Sequence, residues 1–252
     1  MKPLGVRIYG LAAIALGLVG LAWGDFAAVW QPVPPEWPAR TALACLWAGL
    51  FVAGGVMLQL RRTTAIGALL VAGLFLPFFL LWAKRVIGFP QIFGTWSGMC
   101  EQLTMILGGV AAWLICVATD EPSERRLART VRWLFGLCLV AFGVAHFLYV
   151  EETAELVPAW LPPGTHFWAY ATGVCHALAG LALLSGIQSL LAARLVTAMF
   201  LGFGLLVWLP RLFVVPLEHQ GWAGNAINLT LIAAAWAIAD LIARFRTGAA
   251  RS

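Results

Sequence analysis

Eight stretches of this chain are long and apolar enough to be membrane spans, and no other feature of the sequence limits its fold as strongly. A helix crossing about 30 Å of hydrocarbon at 1.5 Å per residue needs roughly 17–25 predominantly apolar residues. Such runs occupy Ile8–Gly24, Thr41–Leu60, Thr64–Ala83, Ser97–Val117, Arg132–Val150, Phe167–Ser185, Ser189–Leu209 and Trp222–Ala243. Of the 252 residues, 62% are hydrophobic and 11% charged, against about 45–50% and about 25% in soluble domains. A water-soluble globule cannot hide that much apolar surface, and charges this sparse do not sustain a disordered chain. The sequence therefore predicts an all-α integral membrane protein.

The basic residues set its expected orientation. Lys and Arg resist translocation, and an inside N-terminus places Lys2, Arg7, Arg61, Arg62, Arg125, Arg126, Arg129, Arg132, Arg194, Arg244, Arg246 and Arg251 on the cytoplasmic side. Only Arg40, Lys84, Arg85 and Arg211 then fall outside. The expectation is a multi-pass protein of the inner (cytoplasmic) membrane with both termini in the cytoplasm. The net charge of +5 is accounted for by this distribution, so no nucleic-acid partner is indicated. Five cysteines, none in a C-x-x-C pair, give neither a disulfide framework nor a metal site.

Sliding the sequence over itself by 126 positions pairs Gly10 with Gly136, Gly17 with Gly143, Pro32 with Pro158 and Gly54 with Gly180. It also pairs Trp82 with Trp208, Arg85 with Arg211, Pro90 with Pro216, Trp96 with Trp222 and Gly98 with Gly224. A series of rare residues at one offset marks an internal repeat. The expected architecture is eight transmembrane helices as two parallel-repeat four-helix bundles, residues 1–119 and 132–252, joined by a cytoplasmic linker at 120–131. Each unit carries a Pro- and Trp-rich outer loop, expected to lie as a lid at the membrane interface with its Trp residues as anchors.

Chemically loaded residues found in one copy only are the stronger functional candidates. His176, about ten residues into the sixth span, needs a partner or a polar cavity at that depth. His146 and Arg211, near the outer ends of the fifth and seventh spans, are expected to line one cavity with it. Glu101, in the first turns of the fourth span, is expected to pair with Arg85. The matching stretch of the last span carries Asn225 and Asn228, uncharged hydrogen-bonding groups, after Trp222. No catalytic triad, dinucleotide fingerprint or phosphate-binding loop is present.

Gly143-Val-Ala-His146-Phe147, Val157-Pro-Ala-Trp-Leu-Pro162, Thr172-Gly173 and Leu209-Pro-Arg211 with Pro216 and Trp222 resemble the DoxX-like family of four-helix membrane proteins, in its duplicated form. That family is similar to the membrane subunit of thiosulfate:quinone oxidoreductase. The resemblance implies a quinone- or lipid-binding membrane subunit linked to a redox complex, with quinone the expected cofactor and a soluble redox protein the expected partner. If the chain is an enzyme, it is then the membrane subunit of a quinone-linked oxidoreductase. The alternative expectations are a non-catalytic carrier for a lipid or small apolar molecule, and an anchor for a redox partner.

Overall fold

The computed structural model describes residues 3–27 and 29–249. Lys2 and Arg251, counted above among the inner bases, lie outside the described residues. All regular structure among the described residues is helical: α1 (Leu4–Trp23), α2 (Arg40–Gln59), α3 (Thr64–Gly88), α4 (Phe93–Val117), α5 (Pro122–Leu148), α6 (Val150–Leu156), α7 (Thr165–Ser185), α8 (Ser189–Val214) and α9 (His219–Ala249). All but the seven-residue α6 are long and apolar enough to cross a membrane.

Their boundaries follow local chemistry. The expected linker at 120–131 is helical from Pro122 onward, because the apolar run reveals only the lipid-length part of α5. Its polar start is a capping box in which the Glu121 carboxylate accepts from the Glu124 amide and Glu124 reaches back, with Pro122 in the first turn. At its own start, α1 borrows a carboxylate: the Gly5 amide donates to Asp240 of α9 at 3.1 Å, satisfying one of the donors that a helix N-terminus leaves free.

Along the first half of the chain α1 packs on α2, α2 on α3 and α3 on α4; along the second, α5 packs on α7, α7 on α8 and α8 on α9. Among the described residues the main helix contacts that join the halves are α1 with α9, α4 with α5, and α4 with α9. α4 and α9 form the centre, with 56% and 72% of their apolar windows buried. Small residues set their spacing, since a Cβ on Gly108 would meet Ala234.

The close approaches recur between halves. In α1–α2, Gly10 faces Gly55 and Gly17 faces Ala48; in α5–α7, Gly136 faces Gly180 and Gly143 faces Gly173. The indole of Trp82 lies on Gly98 as that of Trp208 lies on Gly224. Trp96 Nε1 donates to the Pro90 carbonyl at 3.1 Å and Trp222 Nε1 to the Pro216 carbonyl at 2.8 Å.

These contacts correct the offset read from sequence. α2 and α7 correspond at 125 positions, not 126, so Gly180 matches Gly55 and not Gly54. The missing residue is regained inside α8, where Gly204–Trp208 form a π-helical turn. Pro210 explains its place: it has no N–H for the Leu206 carbonyl and would crowd it in an α-helix. The wider turn, closed by Leu209 N–H to Gly204 O, ends just before the proline.

Candidate functional site

A cavity of about 410 Å³ opens between the C-terminal end of α5, α6, α7 and the π turn of α8. Its walls include Leu156, Leu161, Trp168, Met199 and Phe203, and its polar lining is His146, Thr153 and Thr172. Trp208, within the π turn, closes one side. A mostly apolar concavity with a few polar groups is the usual form of a small-molecule site.

The polar groups share one property. His146 Nδ1 lies 2.8 Å from the Phe142 carbonyl. A carbonyl only accepts, so Nδ1 carries the proton, and in the neutral ring Nε2 is an acceptor. The Thr172 hydroxyl donates to the Trp168 carbonyl at 2.7 Å, the Thr153 hydroxyl to the Tyr149 carbonyl at 2.8 Å, and the Trp168 indole to the Pro162 carbonyl at 2.9 Å. Each of these donors is committed to backbone, so this face of the cavity offers lone pairs, while the indole N–H of Trp208 has no hydrogen-bond partner among the described residues.

His176 stands behind this wall, only 1% exposed. Its Nδ1 lies 2.9 Å from the Thr172 carbonyl, and its ring is 4.8 Å from that of His146. Phe142, Phe200 and Phe203 enclose it, with ring centroids at 5.9, 5.7 and 6.0 Å. The two histidines are thus brought together, one lining the cavity and one buttressing it.

Arg211 does not join them. Its guanidinium grips Glu218 in a two-bond fork, Nε to Oε2 at 2.8 Å and Nη2 to Oε1 at 3.0 Å, which closes the α8–α9 turn. Arg211 thereby holds the Glu218 carboxyl below its ordinary range through this hydrogen bond. The expectation that His146, His176 and Arg211 share one cavity fails for the arginine because an acid seven residues away is a closer partner.

The expected Glu101–Arg85 pair is also absent among the described residues. Arg85 lies exposed over the Trp82 ring at 4.8 Å, while Glu101 hydrogen-bonds the Trp30 side chain. Trp30, expected as an interfacial anchor, is instead 7% exposed, packs on Trp208 at 5.6 Å, and accepts at its carbonyl from Trp82 Nε1 and Gln102 Nε2. The loop folds inward because Glu101 and Gln102 offer its polar atoms partners below the surface.

Trp222, Asn225 and Asn228 line a different hollow of about 300 Å³ between α1, α8 and α9. Asn225 donates to the Trp208 carbonyl at 2.6 Å and Asn228 to the Phe200 carbonyl at 3.1 Å, so both hold backbone that flanks the π turn. Among the described residues no three His, Cys, Asp or Glu side chains are placed to hold a metal.

Residues 134–239 match the model of a domain of unknown function, DUF8561. The match spans the half that contains the cavity. Neither a curated protein nor a solved structure matches the chain.

Thr153, Trp168 and Met199 were not singled out in sequence, and Thr172 entered only within the Thr172-Gly173 pair of the resemblance. A signal for Thr172 exists there: it stands one position before Gly173, where Trp47 precedes Ala48 at the matching helix contact.

Proposed function

We propose that the chain is a duplicated, eight-span protein of the cytoplasmic membrane, of the DoxX-like kind, whose second half holds a hydroxyl-bearing quinol-type molecule for a redox complex. The recurring glycine, Trp–Gly and Trp–Pro contacts support two parallel copies related by a pseudo-two-fold axis between α4 and α9. The excess of bases at the end carrying the α2–α3 and α7–α8 turns supports that end as cytoplasmic, so the cavity opens on the outer side.

The observation that carries the functional reading is the face of His146, Thr153 and Thr172, which presents only acceptors to the cavity. A quinone brings two carbonyl oxygens, which would find no donor on that face beside a neutral His146. A quinol brings hydroxyl protons to His146 Nε2 and to the threonine lone pairs, while its ring packs on Trp168 and Phe203. The nearly all-apolar remaining wall equally suits the tail of a lipid alcohol, which is the carrier reading.

The test is titration of the purified chain with a short-tailed ubiquinol and its quinone, read by fluorescence of the cavity tryptophans. One hydrogen bond's worth of discrimination predicts about tenfold tighter binding of the quinol. His146→Leu should abolish that preference. Equal binding of both forms overturns the acceptor argument, and binding of a lipid alcohol with neither ubiquinone form leaves the carrier reading in its place.

A further inference from the structure

At the other end of α5, about 21 Å from His146 at 1.5 Å per residue, lies a groove of about 260 Å³. Arg125, Arg129 and Arg132 project from one face of α5, at spacings of four and three residues, and Arg246 meets them from α9. The floor between them is Leu241, Ile242 and Phe245.

The acids nearby already have partners, one of them Arg125 at the rim of the groove. Asp120 pairs with Arg125 at 2.5 Å, Glu124 receives the amides of Thr119, Asp120 and Glu121, and Asp240 receives that of Gly5. Among the described residues no carboxylate forms an ion pair with Arg129, Arg132 or Arg246. Arg129 and Arg132 are close enough to repel one another, and the Arg132 guanidinium is laid over Gly186, where a Cβ would meet its Nη1.

Orientation in a membrane requires bases on this side but not their convergence on one hollow. The first half shows the difference: at the same offset, Pro3, Val6 and Asp120 stand where the second half has Arg129, Arg132 and Arg246. Three uncompensated guanidinium groups above an apolar floor match an amphiphile with an anionic head, since Arg binds phosphate through paired N–H bonds. We infer that this groove is a phosphate-binding site, built to take the headgroup of an anionic phospholipid with its chains along Leu241 and Phe245. It is independent of the ligand of the cavity.

Native mass spectrometry of the whole purified chain with phosphatidylglycerol and phosphatidylcholine of identical chains tests it. The wild type should retain phosphatidylglycerol about tenfold better, as expected of charge-assisted bonds. An Arg129→Gln/Arg132→Gln/Arg246→Gln variant should lose that preference, while Arg7→Gln/Arg61→Gln/Arg62→Gln, on the same side, keeps it. Inorganic phosphate is the second arm. Failure to displace the lipid assigns the site to a headgroup, and displacement at matching concentration assigns it to free phosphate, the shared chemistry standing in both cases.

A wild-type measurement guards against a variant that misfolds. Phenylglyoxal modification of Arg129, Arg132 and Arg246, read by peptide mass spectrometry, should slow several-fold with phosphatidylglycerol but not with phosphatidylcholine, and Arg61 and Arg62 should be unaffected. Preference unchanged in the groove variant, or protection equal at Arg61 and Arg62, overturns the inference.

Discussion

Trp47 on α2 and Thr172 on α7 occupy matching turns, each one residue before the small residue that meets a glycine of the preceding long helix. In the first half the indole fills its surroundings: Nε1 donates to the Leu74 carbonyl at 3.0 Å and the ring packs on Phe78 at 6.3 Å. One turn on, Phe51 packs at a tilt on Phe75 at 4.9 Å, where the second half sets His176 beside Phe200. The space left around Gly20, Trp47 and Phe51 is about 10 Å³; its counterpart around His146 and Thr172 is about 410 Å³. The two halves, with recurring glycine contacts, thus differ in whether this part of the interior is filled. One Trp-to-Thr exchange, an inward-folded loop in one copy and a π turn in the other account for it.

That comparison can be broken directly. Trp47→Thr should hollow the first half and destabilise the protein by roughly 3–4 kcal/mol, toward the large end for lost aromatic packing; a midpoint in detergent-based unfolding close to wild type would mean that the indole is not a structural filler. Deleting Leu205 should force α8 into a continuous α-helix through Pro210 and destabilise it by about 3 kcal/mol. Adding Pro210→Lys, the residue type that α3 carries at Lys84, should recover most of that loss in the same measurement. No recovery would detach the π turn from the proline.

Thr172→Trp should make the second half resemble the first, leaving the unfolding midpoint near wild type while weakening quinol binding about tenfold or more. Undiminished binding would place the ligand outside this cavity. The smallest effect concerns Arg211 and Glu218, which have no ion-pair counterpart at Arg85 and Ile92. Because Glu218's carboxyl is lowered in the folded state by Arg211, the pair's contribution is fully present above its unfolded value of about 4.3. It is lost as pH falls through the folded value. Below pH ~4 the wild type should therefore lose its small advantage over Glu218→Gln, and a difference that persists unchanged would show that the fork does not titrate.

The spans were legible because the apolar length of each was sufficient evidence, and the rare-residue pairs pointed to matching contacts such as Trp96–Pro90 and Trp222–Pro216. Helix ends that depend on capping, such as Glu121–Glu124, were invisible to a reading of apolar length. So was the one-residue shift: a constant offset hides a residue lost in one loop and regained in a π turn, and this misaligned His176 with Leu50 where the fold matches it with Phe51. His146 and His176 could be paired because neighbouring helices of a bundle bring inward-facing side chains together, although one stood near the outer end of its span and the other about ten residues in. Arg211 could not be assigned, since depth alone does not reveal that Glu218 folds back to meet it, nor does composition reveal that Trp30 turns inward toward Glu101.

The packing of α1 on α9, tied by the Gly5 amide and Asp240, has a consequence for synthesis. α1 leaves the ribosome ahead of a neighbour encoded about 200 residues later, which at ~5–20 residues per second is an interval of roughly 10–40 s. During that interval α2 covers one flank of α1 and α4 brings the Met105 carbonyl to the Tyr9 hydroxyl, while the Gly5 amide stays without its carboxylate. The contact of α1 with the centre of the fold is completed only when α9 arrives.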